Sequence, residues 1–254
     1  MNVWWGCAFS SQPGAEPDDL EQLRGAFARL PIPAPGQRPG PQGLTVAISR
    51  EAGSRGGTIA RKVSTLLGWQ LYDQELLEYL AQERHLEREL FEHLDPEVQH
   101  WVTKRLDHLQ QSGQLTGDAP VVELARVVLT IGYRGEAVIL GRGAGCLLEP
   151  SATLHVRIVA PVEDRVVYMS QLERMSRDSA AREVAARDAA RAQFIATHFH
   201  RQPGDIYQYD MVLNSSLLGE DVCARLVVEA ARLKSQTRCR QPAAPPPTMP
   251  EELA

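Results

Sequence analysis

The sequence predicts an α/β fold in which a five-stranded parallel sheet is flanked by helices. Short β-branched apolar runs alternate with helix-patterned segments that are long enough to cross over a sheet, which is typical of parallel strands. The runs are of the buried type that is expected when helices cover both faces of the sheet. Hydrophobic residues make up 43% and charged residues 23% of the 254 residues, so the chain has enough apolar material for a sizeable core. Sheets of this kind bind their ligands at the carboxyl ends of the strands.

Each element has its own signal in the chain. Apolar, β-branched runs predict strands over residues 44–48, 70–72, 137–140, 154–159 and 210–213. Helical spacing of apolar residues predicts helices over residues 58–67, 74–84, 97–111, 121–133, 162–174, 180–199 and 220–233. Gly68 is placed to end the first of these helices, and Pro96 to open the third.

Proline marks the two ends of the predicted domain. Seven prolines fall within residues 1–43 and five within residues 239–254. Pro-rich segments bury little apolar surface, so we predict disordered tails over both ranges, with one short helix over residues 18–30. Residues 44–238 then form a single compact domain.

Composition excludes several classes of protein. The net charge of −5 argues against a partner that is a nucleic acid polymer, and no apolar run reaches the roughly 18 residues of a membrane span. The N-terminus lacks the basic and apolar regions of a secretory signal. The four cysteines form no CxxC pair, so neither a disulfide framework nor a structural zinc site is expected, and a cytoplasmic location is predicted. The sequence leaves open whether the tails bind a partner.

The turn after the first strand, residues 49–58, is the predicted centre of the chemistry. Its glycines let successive N–H groups point into one concavity, and the helix that follows adds the positive end of its dipole. Gly56, Gly57 and Thr58 occupy the last three positions of the phosphate-loop pattern GxxxxGK[ST]. The residues predicted to bind phosphate are Gly53, Ser54, Arg55, Gly56, Gly57 and Thr58. Thr58 is the predicted magnesium ligand.

Two residues depart from this pattern. Glu51 stands at the position of the first glycine, and Gly57 at the position of the lysine that normally contacts the β- and γ-phosphates. Arg55 is the predicted substitute for that lysine. The alternative is a turn that uses its glycines only to bend the chain.

Four segments in order resemble the cytidylate kinase-like family. They read VAISREAGSRGGTIARK over 46–62, LGWQLYDQEL over 67–76, VILGRGAG over 138–145 and YDMVLNSS over 209–216. The resemblance implies a P-loop nucleoside monophosphate kinase-like fold with a helical NMP-binding insertion and a lid. It also implies phosphoryl transfer that depends on ATP and Mg, with a small nucleotide, CMP or dCMP, as the acceptor.

The resemblance also assigns roles to individual residues. Arg187, Asp188 and Arg191 match the RDxxR element of the cytidylate kinase lid, so with Arg55 they are the predicted catalytic residues. The alternative is an exposed helix with charge pairs such as Glu183 with Arg187.

Asp73 and Arg142 are the predicted substrate-binding residues. Asp73 follows the second strand and has an N-cap as its alternative role, whereas Arg142 follows the third strand. The aspartate that follows the matching arginine in cytidylate kinases is Gly143 here, so the resemblance does not carry over the reading of the base.

A second function is consistent with the same residues. Because the lysine is missing at position 57, the protein is alternatively a nucleotide-binding module of weak or no activity, which acts as a sensor or docks a partner.

Overall fold

The computed structural model of the protein describes residues 40–77 and 95–240. Its five strands are β1 (Thr45–Arg50), β2 (Gln70–Tyr72), β3 (Ala137–Leu140), β4 (Thr153–Val159) and β5 (Met211–Asn214). Its helices, besides a helical turn over residues 74–77, are α1 (Gly56–Leu67), α2 (Pro96–Gln111), α3 (Ala119–Arg134), α4 (Ala144–Leu147), α5 (Val162–Leu172), α6 (Arg177–Phe199) and α7 (Ser215–Arg240). Two 3₁₀ turns, Pro150–Ala152 and Ile206–Gln208, precede β4 and β5.

All five strands form one parallel sheet in the order β2-β3-β1-β4-β5. The helices that follow β1 and β4 lead to opposite edges of the sheet, because β1 connects to β2 and β4 connects to β5. Where two neighbouring strands connect in opposite directions, a crevice opens at their carboxyl ends. The fold therefore places its ligand crevice beside the residues that follow β1 and β4.

Side chains alternate between two apolar layers. On one face, Val46 and Ile48 pack with helices α1 and α7; on the other, Ala47 packs with α2, α3 and α4. Successive side chains of a strand point to opposite faces of the sheet. Because helices cover both faces, the strands are apolar on both sides. The predicted α/β architecture is confirmed.

Several element boundaries differ from those predicted, most of all the starts of α6 and α7. Helix α6 begins earlier, at Arg177, because the Ser176 hydroxyl accepts a hydrogen bond from the N–H of Ser179 and caps it. Helix α7 begins at Ser215, directly after β5, and its backbone bends at Gly219, where φ is 75°. The four-residue helix α4 had no periodicity by which to predict it.

Parts of the predicted organisation lie outside the described residues. These are residues 1–39 and 241–254 of the tails, with the short helix over 18–30, and most of the helix over 74–84. Among the residues that the structure does describe, no helix combines the length and hydropathy that crossing a bilayer requires.

Candidate active site

The turn between β1 and α1 is held by buried polar contacts. Ser54 is fully buried, and its hydroxyl donates to the carbonyl of Glu51 at 2.9 Å. The Ser215 hydroxyl, at the start of α7, donates to the carbonyl of Ser54 at 2.8 Å. Gly53 has a φ of 77°, and a Cβ on it would lie 2.6 Å from the carbonyl oxygen of Arg165. The turn therefore depends on glycine at position 53 and is fixed from two sides.

The first turn of α1 presents N–H groups without intrahelical acceptors. Those of Gly56, Gly57 and Thr58 precede the first helical hydrogen bond, which the N–H of Ile59 donates to the carbonyl of Arg55 at 3.0 Å. Arg55 adopts the left-handed conformation and caps the helix without a side-chain hydrogen bond. A 12-residue helix concentrates partial positive charge at this end, and free N–H groups are the donors that a phosphate accepts from.

Asp188 fastens helix α6 to this turn. Its Oδ1 accepts from the N–H of Ala52 at 2.7 Å, and its Oδ2 accepts from Nη1 of the buried Arg165. Nη1 of Arg165 also donates to the carbonyl of Ala52 at 3.1 Å, and its Nε donates to that of Ala160 at 3.0 Å. Asp188 thus contacts the backbone of the turn directly and joins α5, α6 and the turn into one unit.

Glu51 takes part in the same network. Its Oε2 accepts from the N–H of Ala160 at 3.2 Å and lies 3.5 Å from Nε of Arg165. Its Oε1 lies 3.6 Å from Nη2 of Arg157 in β4. The carboxylate that replaces the first glycine of the phosphate-loop pattern is therefore neutralised by two arginines and fixes the start of the turn to β4.

Three arginines converge at the carboxyl ends of β1 and β3. Arg50 is the last residue of β1, Arg142 follows β3, and Arg191 reaches them from α6. Burial together with the charges of Arg191 and Arg142 lowers the pKa of Arg50 to about 9. Burial and the charge of Arg191 lower the pKa of Arg142 to about 10. Burial also lowers the pKa of Arg191. These shifts, which burial causes first and the neighbouring arginine charges second, are typical of positive side chains that lie close together in a partly buried site.

The contacts of Arg191 and Arg142 support this description. Nη1 of Arg191 is buried, lies 4.0 Å from Oδ1 of Asp188 and makes no hydrogen bond within the described part of the chain. The guanidinium of Arg142 lies over the ring of Phe194, 5.5 Å from its centroid. An anion that accepted from these guanidinium groups would remove the cost of the unmet donor and of the like-charge repulsion.

Asp73 lies at the rim of the arginine cluster. The charge of its carboxylate partly offsets the lowering of the Arg50 pKa, and its Oδ1 accepts from the N–H of Leu76 at 3.0 Å. The structure thus places the residue as the N-cap that was its alternative role and, at the same time, within the electrostatic range of Arg50.

Two of the four predicted catalytic residues lie apart from the cluster. Nε of Arg55 is 3.9 Å from Oε1 of Glu220, and its guanidinium lies 5.1 Å from the ring centroid of Tyr168. Arg187 donates to Glu183 at 2.6 Å, which is the charge pair foreseen from the sequence, and lies 3.5 Å from Glu173. Arg187 and Arg191 are one helical turn apart, but only Arg191 turns toward β1 and β3.

Arg50, Glu51 and Arg165 are not among the site residues predicted from the sequence. The available signal was a charged residue placed at or directly after the end of a buried strand, where ligand-binding residues of parallel sheets collect.

Comparison with known proteins identifies the family and the fold. The model of the cytidylate kinase-like family matches residues 45–217. A solved structure of an uncharacterised protein from Eubacterium ventriosum shares the fold with a TM-score of 0.53, at 18% identity over 76% of this chain and 99% of that one. A shikimate kinase from Bacteroides thetaiotaomicron aligns with a TM-score of 0.40, at 14% identity over 76% and 98% of the two chains.

One curated protein also matches in sequence. A uronate isomerase from Corynebacterium glutamicum is 31% identical over 93 residues, which are 36% of this chain and 18% of that protein. This match spans less than a fifth of the isomerase, whereas the family model spans the sheet from β1 to β5 with the turn between β1 and α1 and the arginine cluster. The chain belongs to the cytidylate kinase-like family.

Proposed function

We propose that the protein transfers the γ-phosphoryl group of ATP, in a reaction that requires magnesium, to a nucleoside monophosphate, with CMP or dCMP as the acceptor. The observation that carries the proposal is the cluster of Arg50, Arg142 and Arg191 beside the first turn of α1. A kinase must hold two phosphorylated ligands side by side, and this crevice offers two adjacent sets of donors for phosphate.

The donor phosphates would bind at the start of α1. The N–H groups of Gly56, Gly57 and Thr58 provide hydrogen bonds there, and the turn that presents them is held rigid through Ser54 and Asp188. A rigid set of donors costs little reorganisation when a phosphate binds, which is the condition for effective electrostatic stabilisation.

The acceptor phosphate would bind on the arginine cluster. Arg142 follows β3 and Asp73 follows β2, so both lie on the β2-β3 side of β1, beyond the phosphate turn. The choice of CMP or dCMP rests on the family to which the chain belongs. Gly143, which carries no side chain at the position that follows Arg142, contributes no group for reading the base.

The chemistry requires positioning and charge more than it requires a side-chain nucleophile. The bond between the γ-phosphorus and the β–γ bridging oxygen breaks while an oxygen of the acceptor phosphate bonds to the γ-phosphorus, which yields ADP and a nucleoside diphosphate. Negative charge spreads over the transferred oxygens, and guanidinium groups next to them stabilise it.

The residues present fit a magnesium ion that is held mainly by phosphate oxygens and water. Within residues 40–77 and 95–240, no three histidine, cysteine, aspartate or glutamate side chains come together as a metal cage. Mg²⁺ usually keeps several waters and takes one or two protein ligands beside the substrate phosphates. Thr58, in the first turn of α1, would hold the ion through its hydroxyl. When bound, magnesium would neutralise charge on the donor phosphates.

Gly57 favours a second candidate function. With no lysine at this position, the site would bind nucleotides but turn them over slowly or not at all, as a sensor or docking module would. The two candidates differ in one observable, since both bind ATP and only the kinase produces a diphosphate.

The deciding experiment is a panel of acceptors. Purified full-length protein is incubated with ATP, magnesium and each of the common ribo- and deoxyribonucleoside monophosphates, and the formation of diphosphates is followed. Turnover with CMP or dCMP above the other acceptors is the expected result. Binding of ATP by calorimetry without turnover of any acceptor would select the second candidate.

The cellular location follows from the same proposal. ATP and nucleoside monophosphates are cytoplasmic ligands, and Cys146 and Cys223 are both free thiols, as is usual in a reducing compartment. Cell fractionation of the full-length protein and of variants that lack one Pro-rich end would test whether these ends bind a partner, because loss of a partner would change the fraction in which the protein is found.

A further inference from the structure

Gly57 leaves the phosphate turn without a cation, but the space for one is present. A Cβ on Gly57 would have as its nearest neighbours Nη2 of Arg61 at 3.9 Å and Cδ2 of Leu140 at 4.0 Å, which are ordinary contacts. The Cβ would therefore point toward the end of β3, where Leu140 is the last residue. A lysine at position 57 would extend over the gap between the start of α1 and the turn after β3.

The side chain of Arg50 already crosses that gap. A Cβ on Gly56 would lie 2.6 Å from Cβ and 2.9 Å from Cγ of Arg50, so the stem of the arginine passes directly against the first residue of α1. At its other end the guanidinium lies against Gly141, where a Cβ would overlap Nη1. Two glycines thus make room for the arginine, one in the phosphate turn and one directly after β3.

We propose that Arg50 supplies the positive charge to the transferring phosphoryl group that a lysine at position 57 supplies in other phosphate-loop kinases. The inference rests on the proposed function and names the residue that performs this step. The guanidinium lies between the donors of the first turn of α1 and the acceptor-side Arg142, where the phosphoryl group would pass. Within the described residues, the guanidinium makes no hydrogen bond or ion pair and is affected by the Asp73 carboxylate only through its charge, so its donors are available.

The other arginines near the turn are less well placed for this role. Arg55 lies against Tyr168 and Glu220, on the side of α5 and α7. Arg61 lies one helical turn further along α1, and although its Nη2 is 3.9 Å from the position of a Cβ on Gly57, its side chain is exposed. Arg50, in contrast, is half-buried next to Arg142 and Arg191, and a phosphate bound beside it would reduce the repulsion among the three.

The test moves the positive charge from position 50 to position 57. Arg50→Ala is expected to lower kcat by about 10²-fold or more, which is typical when a donor to the transferred group is removed. Adding Gly57→Lys to Arg50→Ala is expected to restore at least about tenfold of that loss, because the lysine enters the vacated space. Gly57→Lys alone is expected to give no gain, since it places a fourth positive charge beside the cluster.

Controls separate this effect from misfolding and from the choice of residue. Arg232→Ala removes an exposed arginine far along α7 and should leave kcat within about twofold of the parent protein. Arg50→Lys retains a charge and should fall between Arg50→Ala and the parent. If Arg50→Ala keeps kcat within threefold, if Gly57→Lys fails to rescue it, or if Arg61→Ala instead causes the loss, the proposal is wrong.

A second readout does not depend on turnover. Calorimetry with inorganic tripolyphosphate is expected to show weaker binding to Arg50→Ala, by about tenfold, and recovery in the Arg50→Ala, Gly57→Lys double variant. If the parent protein turns over no acceptor, this binding series still decides whether Arg50 contacts the phosphate chain. Equal affinities for the parent and Arg50→Ala would overturn the inference while leaving the proposed function in place.

Discussion

Oδ1 of Asp188 accepts a hydrogen bond from the backbone N–H of Ala52 at 2.7 Å, and this contact connects helix α6 to the turn between β1 and α1. The same carboxylate pairs with Arg165, which is almost fully buried. Asp188 therefore contributes to stability as well as to the geometry of the site, although the sequence predicted for it a role in catalysis only.

Asp188→Ala should lower the free energy of unfolding by about 2–3 kcal/mol. The change removes the acceptor of the Ala52 N–H and one partner of a buried guanidinium, and unmet buried donors carry this cost. Asp188→Asn, which retains an acceptor, should lose less. Denaturation in urea measures both variants.

Glu183→Ala is the matched control for Asp188. Glu183 lies on the same helix and pairs with Arg187 on the surface, where both side chains are about two-fifths exposed. Exposed i,i+4 pairs contribute about 0.5 kcal/mol or less. Equal losses for Glu183→Ala and Asp188→Ala would show that the contact with the turn does not stabilise the fold.

Gly53 and Gly57 should respond in opposite directions to alanine. Gly53→Ala should cost about 2 kcal/mol or more, because φ is 77° and the new Cβ would meet the carbonyl of Arg165 at 2.6 Å. Gly57→Ala should stabilise the protein by about 0.5–1 kcal/mol, because the site is helical and has room. Thermal or urea unfolding of the pair checks this, and destabilisation by both would contradict the described path of the turn.

The strands and most helices could be predicted because their signals are local. An apolar run marks a strand that is buried between two layers of helices, and helical spacing marks one buried helix face. The run at residues 137–140 therefore predicted β3 at its observed bounds. Helix α4 could not be predicted, because four residues contain no full period.

The arginine cluster illustrates what local signals omit. Arg50, Arg142 and Arg191 meet only because the order of the sheet places β1 next to β3 and because α6 covers their ends. The i,i+4 spacing placed Arg187 and Arg191 on one helix face, but long side chains diverge from a common face. Arg187 forms ion pairs with Glu183 and Glu173, and only Arg191 points toward the ends of β1 and β3.

His155 should make stability fall in mild acid. Burial lowers its pKa to about 4, and the neutral ring bonds to the hydroxyl of Ser49 and the carbonyl of Gln208. Between pH 6.5 and 4 the unfolded chain binds a proton that the folded one does not, so this contribution is complete above pH 6.5 and is lost as the pH falls toward 4. The full loss amounts to about 3 kcal/mol.

The measurement for His155 is the free energy of unfolding as a function of pH. The parent protein should show a slope that approaches about 1.4 kcal/mol per pH unit in this range beyond that of His155→Asn, whose side chain does not titrate. Parallel curves for the two proteins would show that His155 is protonated without cost in the folded state.

Arg191→Met should separate stability from ligand binding. Without ligand, the variant should be more stable than the parent by about 1 kcal/mol, because it removes a buried donor that lacks a hydrogen bond and one of three repelling charges. Tripolyphosphate at about 100 times its Kd should stabilise the parent by about 2.7 kcal/mol and the variant by much less. Arg225→Met, at an exposed position of α7, should change neither value by more than about 0.5 kcal/mol. Thermal unfolding with and without the anion decides between the two roles, because a purely structural arginine would destabilise the protein when replaced and would leave the response to tripolyphosphate intact.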